Sequence, residues 1–225
     1  MKTVAVIPVK SISERVESKN FKHFFNNLSL FNLLINQLKE SCSFDEIYVS
    51  SDEVNIANSA KDMGFKFIER DKSFCNNITP WSDVIHNVIK SIPEDDDTII
   101  AWCHTTSPLF NRYHEAIKNF KKEFRKNGID GLVAVKPLKE FIISEKKQPV
   151  NYSWGPWHKY SQDLEKYYSI TGALFVAEKK QMLRNRYVVS SNPYLFEVSD
   201  YEAIDIDNEY DFKLAQLLIS NKHLF

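Results

Sequence analysis

Several features that mark particular protein classes are scarce or missing in this chain. Its 225 residues include only three cysteines, Cys42, Cys75 and Cys103, which are too widely spaced for a zinc motif or a disulfide framework. Basic and acidic residues number 29 and 30, so the strongly basic character typical of nucleic-acid-binding proteins is missing. No apolar run is long enough to cross a bilayer, and the first residues have the chemistry of a strand rather than of a signal peptide. We therefore expect a soluble cytoplasmic protein without a nucleic-acid or membrane partner.

Strand-like and helix-like segments alternate along most of the sequence. Apolar and β-branched runs predict strands at 3–9, 46–51, 66–69, 98–103, 131–135, 173–177, 188–189 and 195–198. Helical spacing of apolar residues predicts helices at 28–42, 54–63, 84–92, 112–126 and 210–220. Such alternation indicates an α/β fold with a mostly parallel sheet, which we expect to form a single domain over residues 1–225. Residues 138–167, rich in Lys, Trp, Tyr and Pro with weak periodicity, predict an insertion that leaves the sheet.

The sequence Ile204-Asp205-Ile206-Asp207 near the end of the chain is the most informative short segment. If it is a strand, Asp205 and Asp207 point to one face and the two isoleucines to the other. Two converging carboxylates favour a bound cation, and the hard oxygen ligands indicate Mg2+ with phosphate as co-ligand. The alternative is a solvated strand end that leads into a helix, with Asp207 or Asn208 as the N-cap.

The loop after the first predicted strand is the second informative segment. It carries Lys10, Arg15 and Lys19 together with Ser11 and Ser13. Ligands of open α/β sheets bind beyond the carboxyl ends of the strands, and cations with backbone amides suit a polyphosphate there. The alternative is an ordinary polar loop.

This loop resembles the nucleotide-binding loop of the CMP-sugar-acid synthetases, the family of CMP-sialic acid and CMP-KDO synthetases. The matching residues are Pro8, Ser13, Arg15, Lys19 and Asn20, with Lys10 in place of the family's first arginine. Ser11 and Ile12 replace two glycines of the family loop, which leaves the close approach of backbone to phosphate open. Further segments match family motifs in the same order along the chain: 49–52, Arg70, 104–109, 161–164, 171–173 and 203–207.

The resemblance implies a Rossmann-like, mostly parallel sheet of the nucleotide-diphospho-sugar transferase type. It also implies a homodimer in which the insertion at about 138–167 reaches the partner's site. The implied enzyme is a cytidylyltransferase that transfers CMP from CTP to an acidic, sialic-acid-like or KDO-like sugar for surface polysaccharide biosynthesis, and releases pyrophosphate. The implied cofactor is Mg2+.

The resemblance also assigns roles to individual residues. Catalytic roles fall to Lys19, Arg15, Asp205 and Asp207, and the last two would bind the metal. Nucleotide binding falls to Lys10, Ser13, Arg15, Lys19, Asn20, Arg70 and Thr79, and the turn at 77–80 would help to select cytosine. Binding of the small anionic acceptor falls to His104, Lys159, Gln162 and Thr171.

The departures from the family pattern lie on the acceptor side. The family's arginine before Gln-Asp-Leu is Tyr160 here, its glutamine is His104, its asparagine is Thr171, and the arginine after Ser-Pro-Leu is Phe110. Lys159 or a protonated His104 would then supply the cation for a carboxylate. Two alternatives follow: a cytidylyltransferase acting on a phosphate or phosphonate acceptor, and a non-catalytic nucleotide-binding protein of the same fold.

Overall fold

The computed structural model describes residues 1–224, and nine strands and six α-helices organise that part of the chain. The strands are β1 (Thr3–Pro8), β2 (His23–Phe25), β3 (Leu28–Ser29), β4 (Glu46–Ser51), β5 (Lys66–Glu69), β6 (Ile99–Trp102), β7 (Gly131–Leu138), β8 (Tyr167–Glu178) and β9 (Pro193–Glu197). The α-helices are α1 (Leu30–Glu40), α2 (Ala60–Met63), α3 (Trp81–Ser91), α4 (Tyr113–Glu123), α5 (Lys179–Asn185) and α6 (Glu209–Ser220). Within residues 1–224 no helix combines the length and apolar character that crossing a membrane requires.

Seven strands form one sheet in the order β5-β4-β1-β6-β8-β7-β9. β1 pairs in parallel with β4 and β6, β4 with β5, and β7 with β9. Only β8 runs antiparallel to its neighbours, β6 and β7. The prediction of a mostly parallel α/β sheet is therefore confirmed.

Helices cover both faces of this sheet, which is why its central strands are apolar on both sides. The four residues from Val4 to Ile7 in β1 are completely buried. Apolar residues of α1 and α4 pack in the cluster on one face, and those of α3 and α5 pack in the cluster on the other. α6 packs its Phe212 and Ala215 against Val16, Phe24 and Leu30, beside the loop that follows β1.

Several predicted elements differ from the structure. Residues 188–189 form a bend after α5 instead of a strand, and the predicted helix at 54–63 is a 3-10 helix (Val54–Ser59) followed by the single turn of α2. The sequence pattern did not predict α5 or the small β2–β3 hairpin. The insertion between β7 and β8 contains short 3-10 turns at Gly155–Trp157 and Ser161–Asp163 and an isolated bridge between Ile143 and Pro149.

The prediction that residues 204–207 form a strand end is wrong, because they form an unpaired segment that leads into α6. The backbone amide of Ile206 donates to the carbonyl of Thr106 at 2.8 Å, which holds the segment beside the loop after β6. Asn208 is the N-cap of α6: its side chain accepts from the amide of Asp211, whose carboxylate accepts from the amide of Asn208. The predicted N-cap is thus confirmed at Asn208, and the segment's position is set by this cap.

Candidate active site

A cleft of about 860 Å³ opens at the edge of the sheet where β1, β4 and β6 end. Parallel strands bring their carboxyl ends to one edge, so the loops that follow them meet there. The lining includes all of the residues predicted to bind nucleotide: Lys10, Ser13, Arg15, Lys19, Asn20, Arg70 and Thr79. Asp207 lines the same cleft. Glu14 also lines it, whereas Asp205 does not. Residues far apart in sequence thus form one site in which four cationic side chains outnumber two carboxylates.

The loop after β1 is held in shape by side chains of neighbouring elements. Asp52, at the end of β4, accepts from the amide of Ser11 at 2.9 Å and from its hydroxyl at 2.6 Å. Asn20 donates to the carbonyl of Lys10 at 3.1 Å and accepts from the hydroxyl of Thr105 at 2.7 Å. Neither Ser11 nor Ile12 has a positive φ, so the loop adopts this shape without the two glycines of the family motif.

Arg70 lines the cleft and connects two of the segments that form it. It is buried, its Nη2 donates to the carbonyl of Val9 at 2.7 Å, and its Nε donates to Sγ of Cys75 at 3.0 Å. The turn beside it is closed by Asn76, whose side-chain oxygen accepts from the amides of Ile78 and Thr79. Arg70 therefore joins this turn to the end of β1.

Lys19 lies at the centre of the charged group. Its Nζ donates to the carbonyl of Ile206 at 2.5 Å, and the side chain is buried. Burial lowers the pKa of Lys19, although the nearby Asp205 and Asp207 act in the opposite direction. Lys19 therefore links the loop after β1 to the acidic segment before α6.

The two aspartates have different surroundings. Asp207 forms an ion pair with Arg15, at 2.8 Å between its Oδ1 and Nη2, and both side chains are more than half exposed. Part of Asp205 reaches solvent, yet desolvation by the surrounding protein raises its pKa, and the negative charge of Asp207 raises it further. A hydrogen bond with Thr106 and the charge of Lys19 lower that pKa, but they do not cancel the increase. The pair thus has negative charge that a further cation would neutralise.

The donor chemistry of this pair fits Mg2+. Carboxylate oxygens are the hard ligands that this ion prefers. Burial first, and then the charge of Asp207, raise the pKa of Asp205, and a divalent ion would favour its charged form against both. Within residues 1–224 no group of three or more His, Cys, Asp or Glu residues could hold a metal. Asp205 and Asp207 would therefore share the ion with phosphate oxygens and water, as Mg2+ usually does with few carboxylates.

His104 lines the cleft, and its surroundings favour the uncharged imidazole over the protonated form that would supply a cation in place of Lys159. Burial, and then the charge of Lys19, lower its pKa to about 4. Nε1 of the Trp102 indole donates to Nε2 of His104 at 2.7 Å, which is compatible only with an unprotonated Nε2.

The other predicted acceptor residues are not brought to the cleft within one chain. The hydroxyl of Thr171 donates to the carbonyl of Ala134 at 3.1 Å inside the sheet, so it is occupied. Gln162 lines a separate cavity of about 410 Å³ at the base of the insertion, and Lys159 is an exposed residue of the insertion that lines neither cavity. One chain therefore assembles the nucleotide side of the predicted site but not its acceptor side.

Several residues that line the cleft were missed by the sequence reading. They include apolar and aromatic side chains near the start of α3, namely Phe74, Ile78, Trp81 and Val84. Ile78 is 90% exposed and Trp81 is 45% exposed, and such exposure of large apolar side chains is typical of a binding site. Ile78 lies within the predicted base-contacting turn at 77–80 and Trp81 follows it directly, so a large apolar residue in a turn was the available sequence signal.

Comparisons with known proteins give a consistent result. A family model described as cytidylyltransferase matches residues 4–221. The chain is 26% identical over 232 residues to the pseudaminic acid cytidylyltransferase of Campylobacter jejuni, covering 99% of this chain and 98% of the relative. It is 28% identical over 252 residues to the CMP-N,N'-diacetyllegionaminic acid synthase of Legionella pneumophila, covering 97% of each.

A third relative and a solved structure extend the comparison. The N-acylneuraminate cytidylyltransferase of Streptococcus agalactiae is 22% identical over 219 residues, which are 94% of this chain and 52% of that protein. The fold is shared with a CMP:2-keto-3-deoxy-manno-octonic acid synthetase complexed with CTP, with a TM-score of 0.69, 13% identity, and coverage of 99% of this chain and 100% of that chain. At that identity the structural match shows the fold alone.

Proposed function

The chain belongs to the cytidylyltransferase family, and we propose that its cleft transfers CMP from CTP to a hydroxyl group of an acidic sugar, with release of pyrophosphate. The observation that carries the proposal is the cluster of Lys10, Arg15, Lys19 and Asp207, which line one cleft at the carboxyl edge of the sheet. Several cationic side chains are required to bind the negative charges of a triphosphate. The charge that develops on the reacting phosphate is stabilised best by groups that are positioned before the reaction.

The cations divide between two tasks. Lys10 and Arg15 are on the exposed side of the cleft, where they would neutralise the β- and γ-phosphates as pyrophosphate leaves. Lys19 is buried between the loop and the acidic segment, where it would stay beside the α-phosphate throughout the reaction. Because the Ile206 carbonyl already holds Lys19 in place, little reorganisation of this residue is needed when negative charge develops.

Asp205 and Asp207 would hold Mg2+ together with oxygens of the nucleotide. When bound, the ion supplies Lewis-acid stabilisation of the charge on the phosphate. The chain's own contribution is to orient the α-phosphate for in-line attack by the acceptor hydroxyl. Arg15 now pairs with Asp207, and we infer that it turns to the triphosphate when CTP binds.

We assign selection of cytosine to Arg70 and the turn at residues 76–80. Asn76 fixes the backbone of this turn, so its free amides and carbonyls have defined directions. Thr79 donates its hydroxyl to the carbonyl of Ser73 at 2.5 Å and would stabilise the turn more than it contacts the base. We therefore expect CTP to bind more tightly than ATP, GTP or UTP, as measured by calorimetry. Equal affinities would contradict this assignment.

For the acceptor we propose a nine-carbon sugar acid of the pseudaminic or legionaminic type. The relatives that match nearly the full length of this chain are named for these acids, which favours a sugar acid over a phosphate or phosphonate acceptor. His104 and Thr171 stand where the family has glutamine and asparagine, so the contacts with the substituents of the sugar differ from those of the sialic acid synthetases. We therefore expect poor use of N-acetylneuraminic acid. The CMP-sugar would serve surface glycan synthesis in the cytoplasm, where CTP is present.

The missing acceptor residues motivate a homodimer. Lys159 and Gln162 lie on the insertion, outside the cleft of their own chain, and would reach the cleft of the partner. The insertion exposes large aromatic side chains, with Trp154 at 53%, Trp157 at 76% and Tyr160 at 76% exposed. Such side chains are typical of interfaces, and their burial would offset the loss of freedom on association.

The test is pyrophosphate release with CTP, Mg2+ and a panel of sugar acids and phosphorylated acceptors. We expect turnover with a pseudaminic-type acid and little with the phosphorylated compounds. Lys159→Ala should raise KM for the acceptor far more than KM for CTP, while Lys146→Ala, at another exposed lysine of the insertion, should change neither. Efficient turnover of N-acetylneuraminic acid that is insensitive to Lys159→Ala would contradict the acceptor assignment.

A further inference from the structure

A ring of aromatic side chains encloses His104 at the inner wall of the cleft. The imidazole centroid lies 6.1 Å from that of Trp81, 6.2 Å from Trp102 and 6.0 Å from Phe175, all in edge-to-face orientation. Trp102 is fully buried in β6, whereas His104 lines the cleft. The ring therefore has little room to reorient, and one of its edges faces the reaction site.

The hydrogen bond from Trp102 determines which nitrogen of the His104 imidazole carries the proton. An indole Nε1–H can only donate, so the Nε2 atom that it contacts at 2.7 Å must carry a lone pair. A neutral imidazole with an acceptor at Nε2 has its proton at Nδ1. No hydrogen bond from Nδ1 to any of residues 1–224 is present, so this donor remains available.

Gly172 shows where Nδ1 points. A Cβ atom at position 172 would lie 3.2 Å from Nδ1 of His104, 3.4 Å from Oγ of Ser107 and 3.6 Å from Oδ1 of Asp205. Nδ1 therefore lies on the same side of Gly172 as the Asp205 carboxylate and the Ser107 hydroxyl, which is buried and makes no hydrogen bond within residues 1–224. Since Asp205 belongs to the group that would orient the α-phosphate, Nδ1 lies close to the reacting centre.

We propose that Trp102 is a positioning residue that fixes His104 as an uncharged Nδ1–H donor, and that this donor binds an uncharged oxygen of the acceptor sugar. The oxygen belongs to a hydroxyl or to the carbonyl of an acylamino group, since an uncharged N–H suits either. This inference rests on the proposed function for the identity of the acceptor. It requires no charge on His104, so the carboxylate of the sugar is left to another cation, for which the proposed dimer supplies Lys159.

The state of the ring is tested on the wild-type protein without any substrate. In 15N NMR spectra of histidine-labelled protein at neutral pH, Nδ1 of His104 should show the shift of a protonated nitrogen and Nε2 that of an unprotonated one. Trp102→Phe should move the signals toward the mixture of a free imidazole. A protonated Nε2 in the wild type would overturn the proposal.

Kinetics test what the donor binds. His104→Ala should raise KM for the acceptor about five- to tenfold, the effect of one net neutral hydrogen bond, and leave KM for CTP within about twofold. His104→Gln should restore most of the loss, because its amide N–H can donate. Trp102→Phe should act in the same direction as His104→Ala. Tyr48→Phe, which removes the polar tip of another buried aromatic residue, at its 2.6 Å bond to Glu94, should change neither KM.

Modified acceptors identify the oxygen. Loss of the His104→Ala effect with a deoxy analogue indicates a hydroxyl, and its loss with a deacylated analogue indicates the acylamino carbonyl. An effect on KM for CTP instead of the acceptor overturns the proposal, as does an unchanged acceptor KM in His104→Ala. If the wild type transfers CMP to no sugar acid, the proposed function fails, while the NMR result still decides whether Trp102 fixes the ring.

Discussion

At the scale of single residues, Lys19 is a cationic side chain of the cleft that is buried, and burial of its charge lowers the stability of the fold. Burial lowers the pKa of Lys19 below its usual 10.5, so the folded protein releases this proton at a lower pH than the unfolded chain. Folding then becomes more favourable as the pH rises from the folded pKa toward 10.5. The charged form of Lys19 is therefore held in the cleft against a desolvation penalty.

This linkage predicts a pH-dependent difference between the wild type and Lys19→Met. The free energy of unfolding of the wild type, minus that of the variant, should increase as the pH is raised from neutrality toward 10.5. Urea denaturation of both proteins over this range measures the difference. A difference that is constant or decreases with pH would show that burial does not perturb Lys19 in this way.

The aspartate pair predicts a loss of turnover with little loss of stability. Asp205→Asn and Asp207→Asn should each lower kcat about a hundredfold or more, which corresponds to about 3 kcal/mol of transition-state stabilisation. Asp207→Asn should also lower the pKa of Asp205, because it removes a negative charge that raises it. Asp62→Asn, at an exposed position in α2, is the control with unchanged kcat. Near wild-type activity in the double variant would contradict the metal assignment.

At this scale the sequence predicts the nucleotide side of the site better than the acceptor side. Lys10, Arg15 and Lys19 lie on a short loop beyond a buried strand, so their meeting follows from local sequence and the sheet topology. The state of His104 depends on the indole of Trp102, and the bond between them is visible only in three dimensions. Thr171 stands at the position of the family's asparagine, and its hydroxyl donates to the carbonyl of Ala134, which the sequence does not predict.

At the scale of elements, the start of α6 positions the acidic pair. The Asn208 and Asp211 side chains form a capping box, and Asp211 also accepts from the amide of Asp207 at 3.0 Å. The cap therefore fixes the backbone on which the Asp207 carboxylate depends.

Removal of this cap should affect both stability and activity. Asn208→Ala should lower the free energy of unfolding by about 1 kcal/mol and also reduce kcat, because the acidic segment loses its anchor. Ser29→Ala removes the N-cap bond of α1 to the amide of Asn32, at 3.1 Å, and should cost similar stability without the loss of kcat. Thermal unfolding and steady-state kinetics of both variants give the comparison. Equal kinetic effects in the two would show that α6 plays no special part.

The sequence predicts most elements of the sheet because its strands are buried on both faces and read as continuous apolar runs. The prediction from sequence fails where the local pattern of apolar residues does not correspond to the pairing of strands in the fold. Val188 is buried in the cluster formed by α3 and α5, so its apolar character reflects packing and not strand pairing. Residues 54–59 include two asparagines and a serine, which favour turns over an α-helix, and they form a 3-10 helix.

At the scale of the whole molecule, we predict a dimer because the insertion exposes large aromatic side chains. Trp157→Glu would place a charge in the proposed interface, so it should shift the protein from dimer to monomer and raise KM for the acceptor. Val54→Glu, at another exposed apolar residue that lies outside the insertion, should remain dimeric. Sedimentation velocity reports the mass and kinetics report KM. A monomeric wild type with full activity would contradict the assignment of Lys159 and Gln162 to a partner's cleft.

The central claim is transfer of CMP, and the most direct test follows the α-phosphate of CTP. The purified protein is incubated with CTP labelled at the α-phosphate, Mg2+ and a pseudaminic-type sugar acid, and the products are separated by anion exchange. We expect label in a CMP-sugar that is formed in equal amount to pyrophosphate, with little product when ATP replaces CTP. Label found only in free CMP, or equal transfer from ATP, would contradict it.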